Sequence, residues 1–499
     1  MIQITDIEIL RPYAREYPAV PISALIPYEA RDPVDAFKVF KKLSRQAYIL
    51  ESLEDTGKRG RYTFIGYDPK LGIDCKDGVL TTRNGTSIRD ETGNPGSYIR
   101  RVLDENRTPR LPDLPPFSGG LVGYFSYDYI AYSEPTLREA IGRDIDEENF
   151  RDVDLMLFDK VVAYDHLEHN IRLIVNIRTD FFEENYYRGV AELRHLEWLL
   201  EHSEPCTMPG LELTSEMRLL FDEERYCAMV ERAKEYIREG DAFQVVLSNR
   251  LDADAEGSLF DVYRMLRRVN PSPYMFYFCS DDLEIAGASP ETLVKVTGGE
   301  AFTFPLAGTR PRGATQEEDA ALERELLADP KEVAEHNMLV DLGRNDIGKI
   351  SEFGSVIVDK YMEIERYSHV MHIGSTVRGR LRPDRTVTDA VDAVLPAGTL
   401  SGAPKIRACE IIAELEGNRR GVYGGAIGYL GFSGDMDTCI AIRIAYKKNG
   451  RVFVRAGAGI VADSVPEAEF RECRSKAAAV VSAMHMATEE AAFMYRGKG

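Results

Sequence analysis

The stretch CIAIRIAYKKNGRVFVRAGAGI, residues 439–460, decides the fold class. Its apolar and β-branched residues form two strand candidates, Ile440 to Tyr446 and Arg451 to Ala456, joined at Asn449-Gly450. Asn-Gly supplies the two positive-φ positions of a tight type I′ turn, so the runs are expected to pair antiparallel over Ala441 to Ala456. Further strand-length runs lie at Ala242 to Leu247, Tyr274 to Phe278 and Thr292 to Val296, among helical patterns such as Asp222 to Arg238. An α+β chain with antiparallel sheets is expected, not a parallel Rossmann-type sheet.

Outward from that hairpin, the segment Glu201 to Thr214 (EHSEPCTMPGLELT) carries two prolines, a glycine and several polar residues. It follows a helical run ending near Leu200 and is read as a boundary between lobes at residues 1–205 and 215–499. In the first lobe Phe37 to Leu43 reads as a helix, and Tyr62 to Tyr67 and Val161 to Val175 read as strands. SGGLVGYF (118–125) is echoed by YGGAIGYL (423–430), which suggests a related β-element in each lobe.

The 499 residues carry 82 acidic and 62 basic side chains, a net charge of −20. That balance disfavours nucleic acid and anionic membranes, which are bound through basic patches. It leaves room for a small anion, because a few local cations can dominate a pocket. No apolar run approaches the ~20 residues that span a bilayer. The opening MIQITDIEIL lacks the basic start and apolar centre of a signal peptide, so a cytoplasmic protein is expected. Seven scattered cysteines, with no C-x-x-C, argue against a zinc site or disulfide framework. No P-loop, H-E-x-x-H or strand-following G-x-G-x-x-G is present.

Chemistry is expected where acids fall on apolar helix faces. One helix should start at Asp329-Pro330-Lys331-Glu332, and along it Glu335, Met338, Leu339 and Leu342 share a stripe. A carboxylate on that stripe is either a solvated edge residue or a desolvated group that needs a cation or a proton. A second helix should start with a capping box at Ser464-Val465-Pro466-Glu467, with Glu469, Glu472, Cys473, Lys476 and Val480 at helical spacing. Glu472 and Lys476 are either an exposed i, i+4 pair or part of an oxygen-rich Mg²⁺ site with Glu335. Gly457 and Gly459 are either a bulge or a place where backbone N–H groups approach an anion. Arg443 lies within the apolar strand, sharing a face with Ala441 and Ala445, and calls for an acid or an anionic ligand.

Nine ordered segments resemble the chorismate-using enzymes over nearly the whole chain: GDAFQVVLS (240–248), NPSPYMFY (270–277), GASPETLV (287–294), PLAGTRPRG (305–313), AEHNMLVDLGRND (334–346), YSHVMH (367–372), GTLSGAPK (398–405), RGVYGGAIGYL (420–430) and AGAGIVADSVPEAEFRECRSKA (456–477). The resemblance implies a two-lobed fold, with antiparallel sheets packed as a sandwich and helices outside. It implies Mg²⁺ held by Glu335 and Glu472, with Glu469 as a third, water-mediated contact. Gly308, Thr309, Tyr423, Arg443, Gly459 and Lys476 match positions that hold the carboxylates of chorismate. His372 matches a histidine of the elimination step. Leu50, Glu51 and Ser52, with Asn270, Pro271, Ser272, Pro273, Tyr274 and Met275, look like the halves of a tryptophan feedback site.

The resemblance also bears on the reaction. Water-using members carry a lysine base near the position of Gln244, and glutamine cannot deprotonate water. Ala307 stands where typical aminodeoxychorismate synthases carry a lysine nucleophile, so direct attack by ammonia is implied. The implied activity is an ammonia-dependent conversion of chorismate to anthranilate with loss of pyruvate. Alternatives are an aminodeoxychorismate or aminodeoxyisochorismate synthase and, from another class, an inactive tryptophan-sensing protein. No glutaminase segment is visible, so free ammonia or a separate glutamine amidotransferase subunit, in a hetero-oligomer, is implied.

Overall fold

The structure, a computed structural model, describes residues 2–52, 60–143, 145–367 and 370–496, with side chains to residue 490. Among these residues a fourteen-stranded and a twelve-stranded sheet form, and the strand pairings are antiparallel. The chain is therefore α+β. Each sheet is continuous across both halves of the sequence. In the larger one, Ala47–Glu51 pairs with Tyr274–Cys279. In the smaller one, Gly120–Phe125 pairs with Ala426–Gly431.

Side-chain alternation splits the buried residues into layers. Tyr48, Phe64, Phe276, Ile444 and Phe453 from the larger sheet meet Val122, Tyr124, Met156, Ile427 and Cys439 from the smaller one in a shared core. The other face of the larger sheet is covered by helices that include Pro466–Arg496. The other face of the smaller sheet is covered by helices that include Pro330–Gly348 and Val387–Val394. The layers run helix, sheet, sheet, helix. No described helix is long and apolar enough to cross a membrane.

The hairpin expected at Asn449-Gly450 is present. Both residues have positive φ (52° and 73°), and Lys448 faces Arg451. The expected strand Ile440 to Tyr446, however, is two strands. Met436–Ile440 belongs to the smaller sheet and Ile444–Lys448 to the larger one. Arg443 lies in the link between them at φ 53°, so it does not share a strand face with Ala441 and Ala445. A period-2 reading cannot see a strand change sheets, because both parts are equally apolar. Val161 to Val175 is likewise a hairpin of Lys160–Asp165 and Asn170–Arg178.

The echoed segments pair with each other directly, with Gly123 opposite Gly428. A Cβ would lie 2.0 Å from the Asp154 carbonyl oxygen at Gly123 and 2.1 Å from that of Asp437 at Gly428. The shared glycines thus let neighbouring backbones approach across the middle of the sheet. Gly428→Ala is expected to destabilise the protein by about 3 kcal/mol, through overpacking against fixed backbone. Gly93→Ala, whose Cβ would meet nothing within 4 Å, should stay within about 0.5 kcal/mol of native. Denaturant unfolding of the two variants checks the difference.

Candidate active site

Two links carry the chain from one sheet to the other side by side. Leu283–Ser289 lies in the larger sheet and Thr292–Thr297 in the smaller, so Pro290 and Glu291 bridge them. Ala441, Ile442 and Arg443 bridge in the opposite direction. The links are tied together: Ile440 N–H donates to the Glu291 carbonyl at 3.0 Å, Ala288 N–H to the Arg443 carbonyl at 3.2 Å, and Ser289 Oγ to the Ile440 carbonyl at 2.7 Å. Pro290, Glu291, Ile442 and Arg443 of these links line a cleft of ≈ 1530 Å³.

Residues anticipated from sequence line this cleft together. They are Gln244, Gly308, Thr309, Glu335, His372, Tyr423, Arg443, Gly457, Gly459, Glu469, Glu472 and Lys476. Asp329 caps the Glu335 helix, its carboxylate accepting from the N–H groups of Lys331 and Glu332, with Pro330 opening the helix. Glu335 is half-buried, and burial, reinforced by Glu332, raises its pKa while a hydrogen bond from Gln244 lowers it. Glu472 and Lys476 form their ion pair at 2.7 Å, each about half exposed (50% and 54%), so the pair adds only tenths of a kcal/mol to stability. The capping box at Ser464 is not built. Its hydroxyl accepts from Val461 N–H and donates to Glu469, whose pKa is raised by burial and by Glu472.

The glycines of the Arg451–Ile460 strand act through space, not as a bulge. Its register with Gln244–Glu256 is continuous from Arg451 to Ile460. A Cβ at Gly459 would sit 2.4 Å from Gln244 Nε2, and one at Gly457 would sit 3.1 Å from the Tyr423 hydroxyl. Gln244 and Tyr423 thus occupy room that any other residue would fill. Gln244 Oε1 is buried without a hydrogen-bond partner among the described residues.

His372 Nδ1 donates to the Gly308 carbonyl at 2.7 Å, with the Thr309 hydroxyl at 3.2 Å. That bond assigns the tautomer and leaves Nε2 with the lone pair. Burial, aided by Arg443, lowers the His372 pKa, so the imidazole is neutral near pH 7. Ser368 and His369 of YSHVMH lie outside the described residues. Arg443 is open to the cleft and makes no ion pair among the described residues. Burial lowers its pKa, and Glu291 opposes that shift.

Glu291 was not singled out from sequence. Burial pushes its carboxyl up to about 7, against the pull of Thr399, Arg443 and Lys476. Thr399 Oγ1 donates to Glu291 Oε1 at 3.1 Å. The available signal was an acid wedged between Pro290 and an apolar strand in GASPETLV.

The expected effector residues separate into two groups. Ser52, Asn270, Pro271, Ser272 and Pro273 line the far part of the cleft, where Ser52 Oγ and Asn270 Nδ2 are buried without a partner among the described residues. Leu50, Glu51, Tyr274 and Met275 do not line it. Met275 is core, Tyr274 donates to Asp437 at 2.7 Å, and Glu51 is buried between Arg267 and Tyr263. Strand alternation puts Leu50 and Tyr274 against the core between the sheets and Met275 and Glu51 on the helix-covered face, so neither pair turns to the cleft.

Among the described residues no three His, Cys, Asp or Glu side chains gather into a metal cage. The cleft acids are Glu332 and Glu335 on the helix Pro330–Gly348, Glu469 and Glu472 on the helix Pro466–Arg496, and Glu291. A carboxylate-only set that leaves positions for substrate and water suits Mg²⁺ rather than a thiophilic metal.

Residues 46–482 match the model of the chorismate binding enzymes, and the chain belongs to that family. It is 45% identical to anthranilate synthase component 1 of Acetivibrio thermocellus over 488 residues, 95% of this chain and 97% of that one. It is 44% identical to the Pseudomonas aeruginosa protein of the same name, covering 97% of this chain and 99% of that one. Anthranilate synthase component I from Streptococcus pneumoniae superposes with a TM-score of 0.71 at 41% identity, covering 84% of this chain and 92% of that one. The menaquinone-specific isochorismate synthase from Escherichia coli shares the fold, at 19% identity and a TM-score of 0.67, over 96% of this chain and 98% of that one.

Because the folded protein holds the Glu291 proton more tightly than the unfolded chain does, this carboxyl costs stability as pH rises from about 4.5 to about 7. The cost is constant above that range and absent below it. Glu291→Gln is expected to melt higher than native at pH 8 and equally at pH 4. Melting curves at the two pH values check the sign.

Proposed function

We propose that the chain is the chorismate-converting component of an anthranilate synthase. It aminates chorismate with ammonia and releases pyruvate, and it draws the ammonia from a glutamine amidotransferase partner. The observation that carries this reading is the placing of Glu291, a proton donor with a pKa of about 7, beside the open Arg443 guanidinium and the Gln244 amide in one cleft.

Each group has a task its chemistry suits. Arg443 and Lys476 hold the two carboxylates of the substrate, and Arg443 brings a fork that can bind one of them bidentately. Tyr423 and Thr309 add hydroxyl donors. Glu291 protonates the departing ring hydroxyl as ammonia forms the new C–N bond at C2, and the hydroxyl leaves as water. Gln244 Oε1 accepts an N–H of the incoming ammonia but cannot deprotonate water, which favours amination over hydroxylation. Ala307 lines the cleft and offers no amine, so ammonia attacks directly. His372 Nε2 is the base that removes the C2 proton as the enolpyruvyl C–O bond breaks and the ring becomes aromatic, and the resulting imidazolium returns a proton to the methylene carbon of the departing enolpyruvate, giving pyruvate. Mg²⁺ held by Glu335, Glu469 and Glu472 would supply Lewis-acid charge to a ring carboxylate.

A tryptophan effector in the Ser52–Asn270 part of the cleft fits the two buried polar atoms left without partners there. Such a ligand would act on the same cleft the substrate enters.

Incubation with chorismate, Mg²⁺ and ammonium at high pH should give anthranilate fluorescence. Isochorismate, or aminodeoxychorismate alone, would overturn the reading. Glu335→Gln should lower kcat by about 10²-fold or more while the protein stays folded, and native turnover would remove Glu335 from the metal site. Ser52→Phe should abolish inhibition by tryptophan while ammonia-dependent turnover continues, and undiminished inhibition would place the effector elsewhere.

A further inference from the structure

Two residues of the recognised motifs have no place in the chemistry above: Asp346 of AEHNMLVDLGRND and Lys405 of GTLSGAPK. Both are buried, and Lys405 Nζ donates to Asp346 Oδ2 at 2.7 Å. The same ammonium donates to the Val394 carbonyl at 2.7 Å. Lys349 Nζ reaches the other Asp346 oxygen at 3.3 Å. The Lys405 ammonium, on the first residue of the helix Lys405–Glu416, thereby ties together the C-terminal ends of the helices Pro330–Gly348 and Val387–Val394.

This arrangement is costly as a stabilising device. An ammonium at a helix N-terminus opposes the helix dipole, and a buried ion pair often adds no more stability than an apolar pair of the same size. What it does provide is a fixed position. Residues 395–404, between the second and third of these helices, carry Thr399 and Leu400 into the cleft wall, and Thr399 holds Glu291. Gly398 packs so closely on the Glu335 helix that a Cβ there would lie 2.8 Å from Leu342 Cδ1. Glu335 sits on the same helix as Asp346, roughly 16 Å away along its axis.

We propose that the Asp346–Lys405 pair is a positioning device for the reaction. It sets the Glu335 helix against the 395–404 segment, and so sets the metal-side acid, Glu335, relative to the proton donor, Glu291. The proposal rests on the roles given to those two acids above.

Lys405→Met removes the charge and keeps most of the stem. The half-saturating Mg²⁺ concentration is expected to rise about tenfold or more, with kcat falling by a similar factor. In the metal-free protein, deuterium exchange of residues 395–404 should rise well below the melting temperature. Lys405→Arg, which keeps the charge, should recover most of the loss. Asp346→Leu with Lys405→Met replaces the pair by an apolar contact. It should melt close to native yet keep the catalytic loss, because shape is restored and position is not. Native kcat and native Mg²⁺ dependence in that stable double variant would overturn the proposal. If the double variant fails to fold, unchanged exchange of residues 395–404 in Lys405→Met overturns it equally. Normal turnover in Glu335→Gln would instead sink the reading of the cleft, and the exchange result would still decide what the ion pair does.

Discussion

The site depends on two adjacent strands changing sheets at the same level of the sandwich. At that level the chain passes from one sheet to the other through Pro290 and Glu291, and in the reverse direction through Ala441 to Arg443. Three hydrogen bonds fasten the links to each other, so the acid and the cation leave neighbouring backbones. Arg443 takes a left-handed conformation to do this, which costs a non-glycine residue about 1–2 kcal/mol. Strain of this kind persists only where the surroundings over-determine it. Here the ladders on either side of each link leave the backbone no alternative path.

The cleft is richer in cations, relative to its acids, than the molecule as a whole. The chain carries a net charge of −20, yet Arg312, Lys331, Arg366, Arg443, Arg455 and Lys476 line the cleft against Glu291, Glu332, Glu335, Glu469 and Glu472. Beneath its floor, Glu416 is paired with two buried guanidinium groups, Arg420 and Arg455, both at 2.6 Å. The remaining donors of Arg420 and Arg455 go to carbonyl and side-chain oxygens, including those of Val246, Leu400, Ser248 and Asn418. One carboxylate against two cations leaves a positive excess under Tyr423, whose ring lies 6.0 Å from Arg420. A small dianion is drawn into such a field while the acidic exterior repels large polyanions.

The fold was legible where local chemistry decides it. The Asn449-Gly450 hairpin and the Asp329 cap followed from turn and capping preferences that act within a few residues. Glu335 was legible because helical periodicity puts it on a stripe that packing then half-buries. Glu472 carried no such information, since its ion pair with Lys476 looks the same whether or not a ligand approaches. The glycines 457 and 459 suggested backbone donors, whereas their effect is to clear space for Gln244 of a neighbouring strand and for Tyr423 of a turn. Both partners lie far earlier in the chain, so no local pattern names them.

By itself the sequence determined where several strands, turns and helices begin and that Glu335 falls on a helix stripe that packing half-buries, because those outcomes depend on neighbours along the chain. Only the tertiary structure decided that Ile440 and Ile444 lie in different sheets, that Glu291 rather than a more conspicuous acid holds its proton to about pH 7, and that Asp346 meets Lys405. These depend on burial and on contacts between distant segments, which the packing of two sheets creates and composition does not encode.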